Sequence, residues 1–263
     1  MTIHVLVACS KSKAHEPEDE LVWGQGTTID DWSRAWAMER PRFEPKDLYS
    51  GRAARRQLRM VSEHPDAEAY LISAGAGLVR IADEVAIPSY ECTFGRGGLP
   101  FEDWHRLPHG GLSNILVEDG DSVVAFAPRN YLRAISHDPG LESVSRSMVS
   151  PEGSSLGRRC GRPVTVHPRL KEVLGVASAD LNTELIRIFL EDGIPGIERT
   201  NAEAERLPPL PQRRRVDDRE LLAIVREYEA GRSHYELVRY IRDELGVSAS
   251  VERIGDAMRS IRG

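Results

Sequence analysis

Ile3-His4-Val5-Leu6-Val7-Ala8, followed at once by Cys9-Ser10-Lys11-Ser12-Lys13, is the stretch that decides the fold. A β-rich apolar run of this length reads as a buried strand, and its abrupt end in small, polar and basic residues reads as a loop leaving a sheet. Working outward, residues 69–73 read as a second strand. It ends in Ala74-Gly75-Ala76-Gly77-Leu78, where glycine permits close backbone approach. Residues 122–127 read as a third strand ending in Pro128-Arg129-Asn130-Tyr131, and residues 164–166 as a fourth. Helical patterns fall between them, at 51–63 with Ser50 as a candidate cap, at 131–135, and at 179–191 with Leu181, Leu185, Ile188 and Phe189 on one side. Strands alternating with helices imply an α/β fold with a parallel sheet covered on both faces. Ligands in such sheets sit at the carboxyl ends of the strands. Three of the four strands end in the segments richest in Ser, Gly, Lys and Asn, which places the expected site there.

Composition narrows the class. The 263 residues are 40% hydrophobic and 29% charged, as in an ordinary globular protein. No apolar run approaches the ~20 residues of a membrane span, and nothing at the N-terminus resembles a secretory signal, so a cytoplasmic location is expected. Cys9, Cys92 and Cys160 are scattered without a CxxC pair, which argues against a disulfide framework or a thiolate zinc site. His105 and His109 stand four apart, but Pro108 opposes the helix that would align them on a metal, and no metal or cofactor is expected. The net charge of -6 excludes a whole-molecule polycation and leaves a local basic face open.

Residues 14–45 read as a long loop or lid with a short helix near 31–38. Trp23, Trp32 and Trp36 favour an ordered, packed segment. Residues 1–206 form the expected α/β catalytic domain, 207–215 a Pro/Arg-rich linker, and 216–263 a helical domain with helices at 218–230, 233–245 and 250–261. Three short helices with turns of this size fit a helix-turn-helix module. From Gln212 onward, 11 Arg and no Lys face 10 Asp and Glu. Two readings stand: DNA contact through Arg213, Arg214, Arg215, Arg253, Arg259 and Arg262, or a helical packing role.

The candidate site groups come from separate segments. Hydroxyls and backbone N–H groups of Cys9, Ser10 and Ser12, with the positive charge of Lys11 and Lys13, suit a phosphate or a nucleobase edge, although the GxxxxGK[ST] spacing of a Walker A loop is absent. Cys9 is either a nucleophile or a small buried residue at a strand end. The stretch 73–94 supplies carboxylates at Asp83, Glu84 and Glu91 for water activation and Tyr90 as a stacking ring. Asn130 reads either as an amide for a base edge or as a helix cap, and Tyr131 as a second stacking ring.

An ordered set of motifs resembles a bacterial family. Cys9-Ser10 through Lys13, Asp47-Leu48-Tyr49-Ser50, Ile72-Ser73-Ala74 through Gly77-Leu78-Val79, and Pro88-Ser89-Tyr90-Glu91-Cys92-Thr93 are similar to proteins related to the peroxide-stress family and to the archaeosine synthase core. That core has been likened to the uracil-DNA glycosylase fold. The resemblance covers roughly residues 3–135; the helical tail lies outside it and suggests a DNA-directed member. It implies a three-layer glycosylase-like core acting on a nucleobase or its N-glycosidic bond. The base would be flipped from the stack, stacked on Tyr90 or Tyr131 and read by Asn130. Water would be activated by Asp83 or Glu91, with Lys11 in the catalytic group. Cys9, Ser10, Ser12, Lys13, Tyr49, Ser50, Ser73, Gly75 and Gly77 would hold substrate. Ala76, where relatives carry a larger residue, suggests a wide pocket for a bulky base such as a glucosylated hydroxymethyl-pyrimidine of phage DNA. Base exchange on RNA and non-catalytic DNA protection are the alternatives.

Overall fold

A computed structural model of the chain describes residues 1–81, 85–209 and 213–262. The chain divides into two compact units, Met1–Arg206 and Leu207–Gly263. In the first unit the opening run is strand β1 (Ile3–Ala8), and its Val5, Leu6 and Val7 are all fully buried. Consecutive residues point to opposite faces of a sheet, so burial of all three requires cover on both faces. Each such side chain contributes about 1.5–3 kcal/mol of burial.

The chain then forms α1 (Ile29–Ala37), the one-turn α2 (Pro45–Leu48), α3 (Arg52–Ser62), β2 (Ala67–Ser73), β3 (Gly77–Arg80) and β4 (Ser122–Val124). It continues through α4 (Arg129–His137), α5 (Leu141–Val144), β5 (Met148–Pro151), β6 (Arg162–Val164), α6 (Leu170–Val173) and α7 (Leu181–Glu205). The six strands lie in the order β3-β2-β1-β4-β5-β6. All neighbours are parallel except β2 and β3, so the sheet carries one antiparallel edge strand where the sequence suggests only part of a turn. Counting only the parallel strands in chain order, the arrangement is 2-1-3-4-5, a doubly wound sheet whose direction of growth reverses between β1 and β4. In a sheet of this order, right-handed crossovers place the helices before and after the reversal on opposite faces.

Several boundaries differ from the sequence expectation for local reasons. Ser50 does not cap α3. Gly51 is the N-cap, and a Cβ there would collide with the Ser10 side chain. The Ser50 N–H is instead spent on the Ser12 carbonyl, 3.1 Å away. Asn130 is not the cap of α4 either: Pro128 holds that position and Asn130 is the second helical residue. The helix expected to end near 191 resumes as far as Glu205, across a break at Gly193 (φ 64°, ψ -156°) with Pro195 just beyond. Residues 14–45 are packed down, as the three tryptophans predict. Val22 pairs with Glu91, Phe43 with Ile87, and Trp23, Trp32 and Trp36 pack in series with centroid spacings of 5.3 and 6.4 Å.

The second unit contains β7 (Arg214–Arg215), α8 (Asp218–Tyr228), α9 (His234–Arg239), β8 (Val247–Ser248) and α10 (Val251–Arg262). Its own apolar core is built on Val216, Leu221, Val225, Leu237, Ile241 and Ile254. Asp217 caps α8, and Ser233 with Glu236 forms a capping box on α9. Arg214 and Arg215, expected in a linker, pair as β7 with β8 and so belong to this unit.

Candidate functional site

The site is built on the carboxyl end of β2. Five successive carbonyls there each accept a hydrogen bond from a different segment. Ile72 accepts from the Cys9 N–H (3.0 Å) and Ser73 from the Trp104 indole (2.8 Å). Ala74 accepts from the Cys92 thiol (3.1 Å), Gly75 from the Trp32 indole (2.7 Å) and Ala76 from the His109 N–H (2.8 Å). Buried backbone must be satisfied, and here the partners come from loops far apart in the chain. The turn is thereby fixed by the same contacts that bring those loops together. Gly75 leaves no room for a side chain, since a Cβ would strike the Tyr90 ring.

On this turn stands a buried hydroxyl chain. The Ser73 hydroxyl bonds to that of Tyr90, and Tyr90 to Tyr49. The Ser73 oxygen also accepts the N–H groups of Gly75 (3.2 Å) and Ala76 (2.8 Å). A hydroxyl has two acceptor positions and one proton, so Ser73 donates to Tyr90, which is hydrogen-bonded in turn to Tyr49 at the end of the chain. Burial pushes all three neighbouring phenols, Tyr49, Tyr90 and Tyr131, above their ordinary range. The Lys13 ammonium lies 4.2 Å from the centroid of the Tyr90 ring and 5.6 Å from that of Tyr49. Desolvation lowers its pKa, opposed by the thiols of Cys9 and Cys92 and by Glu91.

Cys9 and Tyr131 close the group at the reversal point of the sheet. The Tyr131 hydroxyl donates to the Cys9 carbonyl (3.0 Å), which leaves the Cys9 thiol as donor to the phenol oxygen (3.3 Å). Residues following β1 and β4 therefore meet where a doubly wound sheet opens its crevice. Cys9, Lys13 and Tyr131 are half-buried there, above the enclosed Ser73, Tyr90 and Tyr49.

The other expected residues divide. Lys11 and Glu91 approach at 3.9 Å, both largely exposed, so Glu91 is not the desolvated carboxylate that water activation was argued from. Tyr90 offers no free ring: it is 1% exposed, covered by Lys13, and packed against Trp32 and Trp36. Tyr131 keeps a half-exposed position beside Phe94. Asn130 is exposed on α4. Ala76 is fully buried, so its small side chain opens no space to solvent. Ser10 and Ser12 shape the loop: the Ser10 hydroxyl donates to the Ser12 carbonyl (2.7 Å) and accepts the Gly51 N–H (3.2 Å). Gly77, at φ 96°, lies against Gly110. Asp83 and Glu84 lie outside the described residues. Among those described, no group of three His, Cys, Asp or Glu is placed to hold a metal.

In the second unit most of the expected DNA-contacting arginines are paired with carboxylates: Arg213 with Asp243 (2.8 Å), Arg214 with Glu220, Arg253 with Asp218 (2.6 Å) and Arg259 with Asp256. Arg215 is exposed on β7, and the Arg262 side chain lies outside the described residues. Sequence reasoning missed the basic residues of α4 and of the loop after β5, whose signal was diluted by 31 arginines spread along the chain. It also missed Trp104 as a clamp on Ser73.

Comparison with family models, with curated proteins and with solved structures gives no match.

Proposed function

We propose that the α/β unit hydrolyses the N-glycosidic bond of a modified base in DNA, leaving an abasic site, with a glucosylated hydroxymethyl-pyrimidine of phage DNA as the case to test. The observation that carries this reading is the meeting of Cys9, Lys13 and Tyr131 at the reversal point of the sheet, above the polarised Ser73–Tyr90–Tyr49 chain. The motifs that resemble glycosylase-like proteins are the same ones that meet there, and a glycosylase-like core would place its base at this end of the sheet.

In this reading the nucleotide is flipped toward the crevice. Lys13 donates a hydrogen bond to the departing base as the C1′–N bond breaks, stabilising its developing negative charge. Tyr131 offers its ring edge, and Asn130 reads the base from the rim. Water forms the new bond to C1′ and gives its proton to a carboxylate. Glu91 is the described candidate, made less exposed when substrate covers it, and Asp83 the other. The Tyr49 hydroxyl, at the end of the chain, holds the floor beneath Lys13. The helical unit, with its arginine-rich entry, would bind duplex DNA.

The test is incubation with glucosylated hydroxymethylcytosine DNA and with unmodified DNA, followed by alkali. Strand breaks confined to the modified DNA, and lost in Lys13→Met and Glu91→Gln with binding retained, are the expected result. Modified DNA that is bound yet stays intact ends the reading and leaves a DNA-binding protective protein in its place.

A further inference from the structure

A second feature lies on the same edge of the sheet. A cleft of about 690 Å³ opens over the carboxyl ends of β4, β5 and β6, walled by α4 and by the first turn of α7. Arg129, Arg133, His137 and Arg158 line it, and no carboxylate does among the described residues. In a chain of net charge -6, four basic side chains without an acidic partner in one concavity are a local reversal of sign.

The cations are available. Among the described residues neither Arg129 nor Arg158 has an ion-pair or hydrogen-bond partner, in contrast to the paired arginines of the helical unit, and both are exposed. Arg133 is held by its guanidinium over the Phe101 ring, 4.5 Å from the centroid, and Phe101 in turn stacks near His137. That stacking limits its freedom before any ligand arrives, which lowers the ordering cost of binding. Ser155 is also among the lining residues, and its hydroxyl is buried without a hydrogen-bond partner. The first turns of α4 and α7, both without a side-chain cap, add backbone N–H groups at Arg129 and Asn182.

We infer that this cleft is a phosphate subsite which holds the backbone of the nucleic-acid strand next to the nucleotide admitted between β1 and β4. The inference rests on the proposed nucleic-acid substrate and extends it. Helix α4 links the two places: Tyr131 reaches Cys9, while Arg129, Arg133 and His137 on the same helix face the cleft. A free mononucleotide would satisfy one or two of these cations. A strand presents several phosphates in a row, and arginine is the side chain best suited to bind them bidentately.

Binding of an unmodified 20-base-pair duplex is measured by fluorescence anisotropy between 50 and 200 mM salt, for the full chain and for Arg129→Gln/Arg158→Gln. Every duplex phosphate that a cation no longer neutralises lowers the salt slope by about 0.9, so the double variant should bind at least tenfold more weakly with a slope smaller by about 1.8. Arg59→Gln on α3, which removes the same charge elsewhere, should weaken binding far less. Melting curves verify that the variants fold. Wild-type affinity and slope in the double variant overturn the subsite. So does capture of a deoxynucleoside monophosphate by a protein that ignores the duplex, which assigns the cleft to a small phosphate ligand. Arginine-dependent binding of DNA that is never cleaved keeps the subsite and removes the glycosidic reaction, so the two readings fail separately.

Discussion

Lys13 stands at the centre of the proposed chemistry, and its environment predicts a pH signature. Desolvation lowers its pKa in the fold, so between that value and the ordinary 10.5 the unfolded chain binds more protons than the folded one. Stability must then rise with pH through that window. Tyr49, Tyr90 and Tyr131 act in the opposite sense: their raised values mean that above about pH 10 the unfolded chain releases phenolic protons first, and stability falls. Urea unfolding from pH 7 to 11 should show a maximum, and Lys13→Met should flatten its rising limb while leaving the alkaline fall. A rising limb unchanged in Lys13→Met would refute the assignment. The hydroxyl chain makes a second prediction. Tyr49→Phe removes the hydrogen-bond partner of the Tyr90 hydroxyl in a fully buried place, and should cost about 1–3 kcal/mol in urea unfolding. Cys92, whose thiol burial pushes up to about 12, should resist iodoacetamide at pH 8 until the protein is unfolded. Cys9 and Lys13 follow β1, Ser73 ends β2 and Tyr131 follows β4, so their placement could be read from strand ends, whereas Tyr90 stood out only as a ring in the stretch 73–94 and Tyr49 only through the family resemblance. Their division into enclosed and accessible groups was not legible, since the cover on Tyr90 comes from Lys13, Trp32 and Trp36, remote in the chain and close only after folding.

At the scale of elements, β1, β2 and α3 could be read closely because long apolar or amphipathic runs carry their own signal. The short pieces could not. Strand β5, Met-Val-Ser-Pro, has four residues and ends in proline, which weakens a strand reading. Strand β3 follows the glycine turn so closely that its alternation is too brief to register, and its pairing with β2 depends on the clamped carbonyls of residues 72–76. Helix α7 tests how such local choices act. Gly193 adopts φ 64° and ψ -156°, a region open essentially to glycine alone, and this break turns the chain so that Ile188 and Ile197 can both be buried. Gly193→Ala should destabilise the protein by about 1–3 kcal/mol, read as a lower urea midpoint with an unchanged slope. Pro195→Ala should not convert α7 into one continuous helix, because the backbone leaves helical geometry at Gly193, two residues earlier. Greater helicity by circular dichroism in Pro195→Ala alone would show that proline, not glycine, makes the break.

For the whole molecule, the reversal in strand order and the separation of cores have different consequences. The 2-1-3-4-5 order decides where a ligand can enter, because only between β1 and β4 do successive loops leave in opposite directions. Strand directions of this kind follow from crossover handedness once the number of strands is known, and the missed strands are why the sequence placed the site at this edge without its order. The two apolar cores have separate memberships. Among the described residues the larger extends no further along the chain than Ala204 and the smaller begins at Val216. A fragment of residues 1–209 should therefore melt as the full chain's α/β unit does, within about 2 °C, since loss of even 1 kcal/mol would shift a domain of this size by about 2–4 °C. The helical unit alone, at 57 residues, sits near the lower limit of independent stability. DNA binding supplies the second readout of the same fragment. Exposed ion pairs such as Arg213–Asp243 and Arg253–Asp218 are each worth about 0–1 kcal/mol, so exchanging their carboxylates for phosphates is cheap, and the pairing does not prevent the unit from acting as a reader. If it does, the fragment binds duplex DNA more weakly and with a smaller salt slope than the full chain, while its melting transition stays in place. A fragment that melts normally and keeps the full slope would assign all phosphate binding to the α/β unit and leave the three terminal helices a packing role.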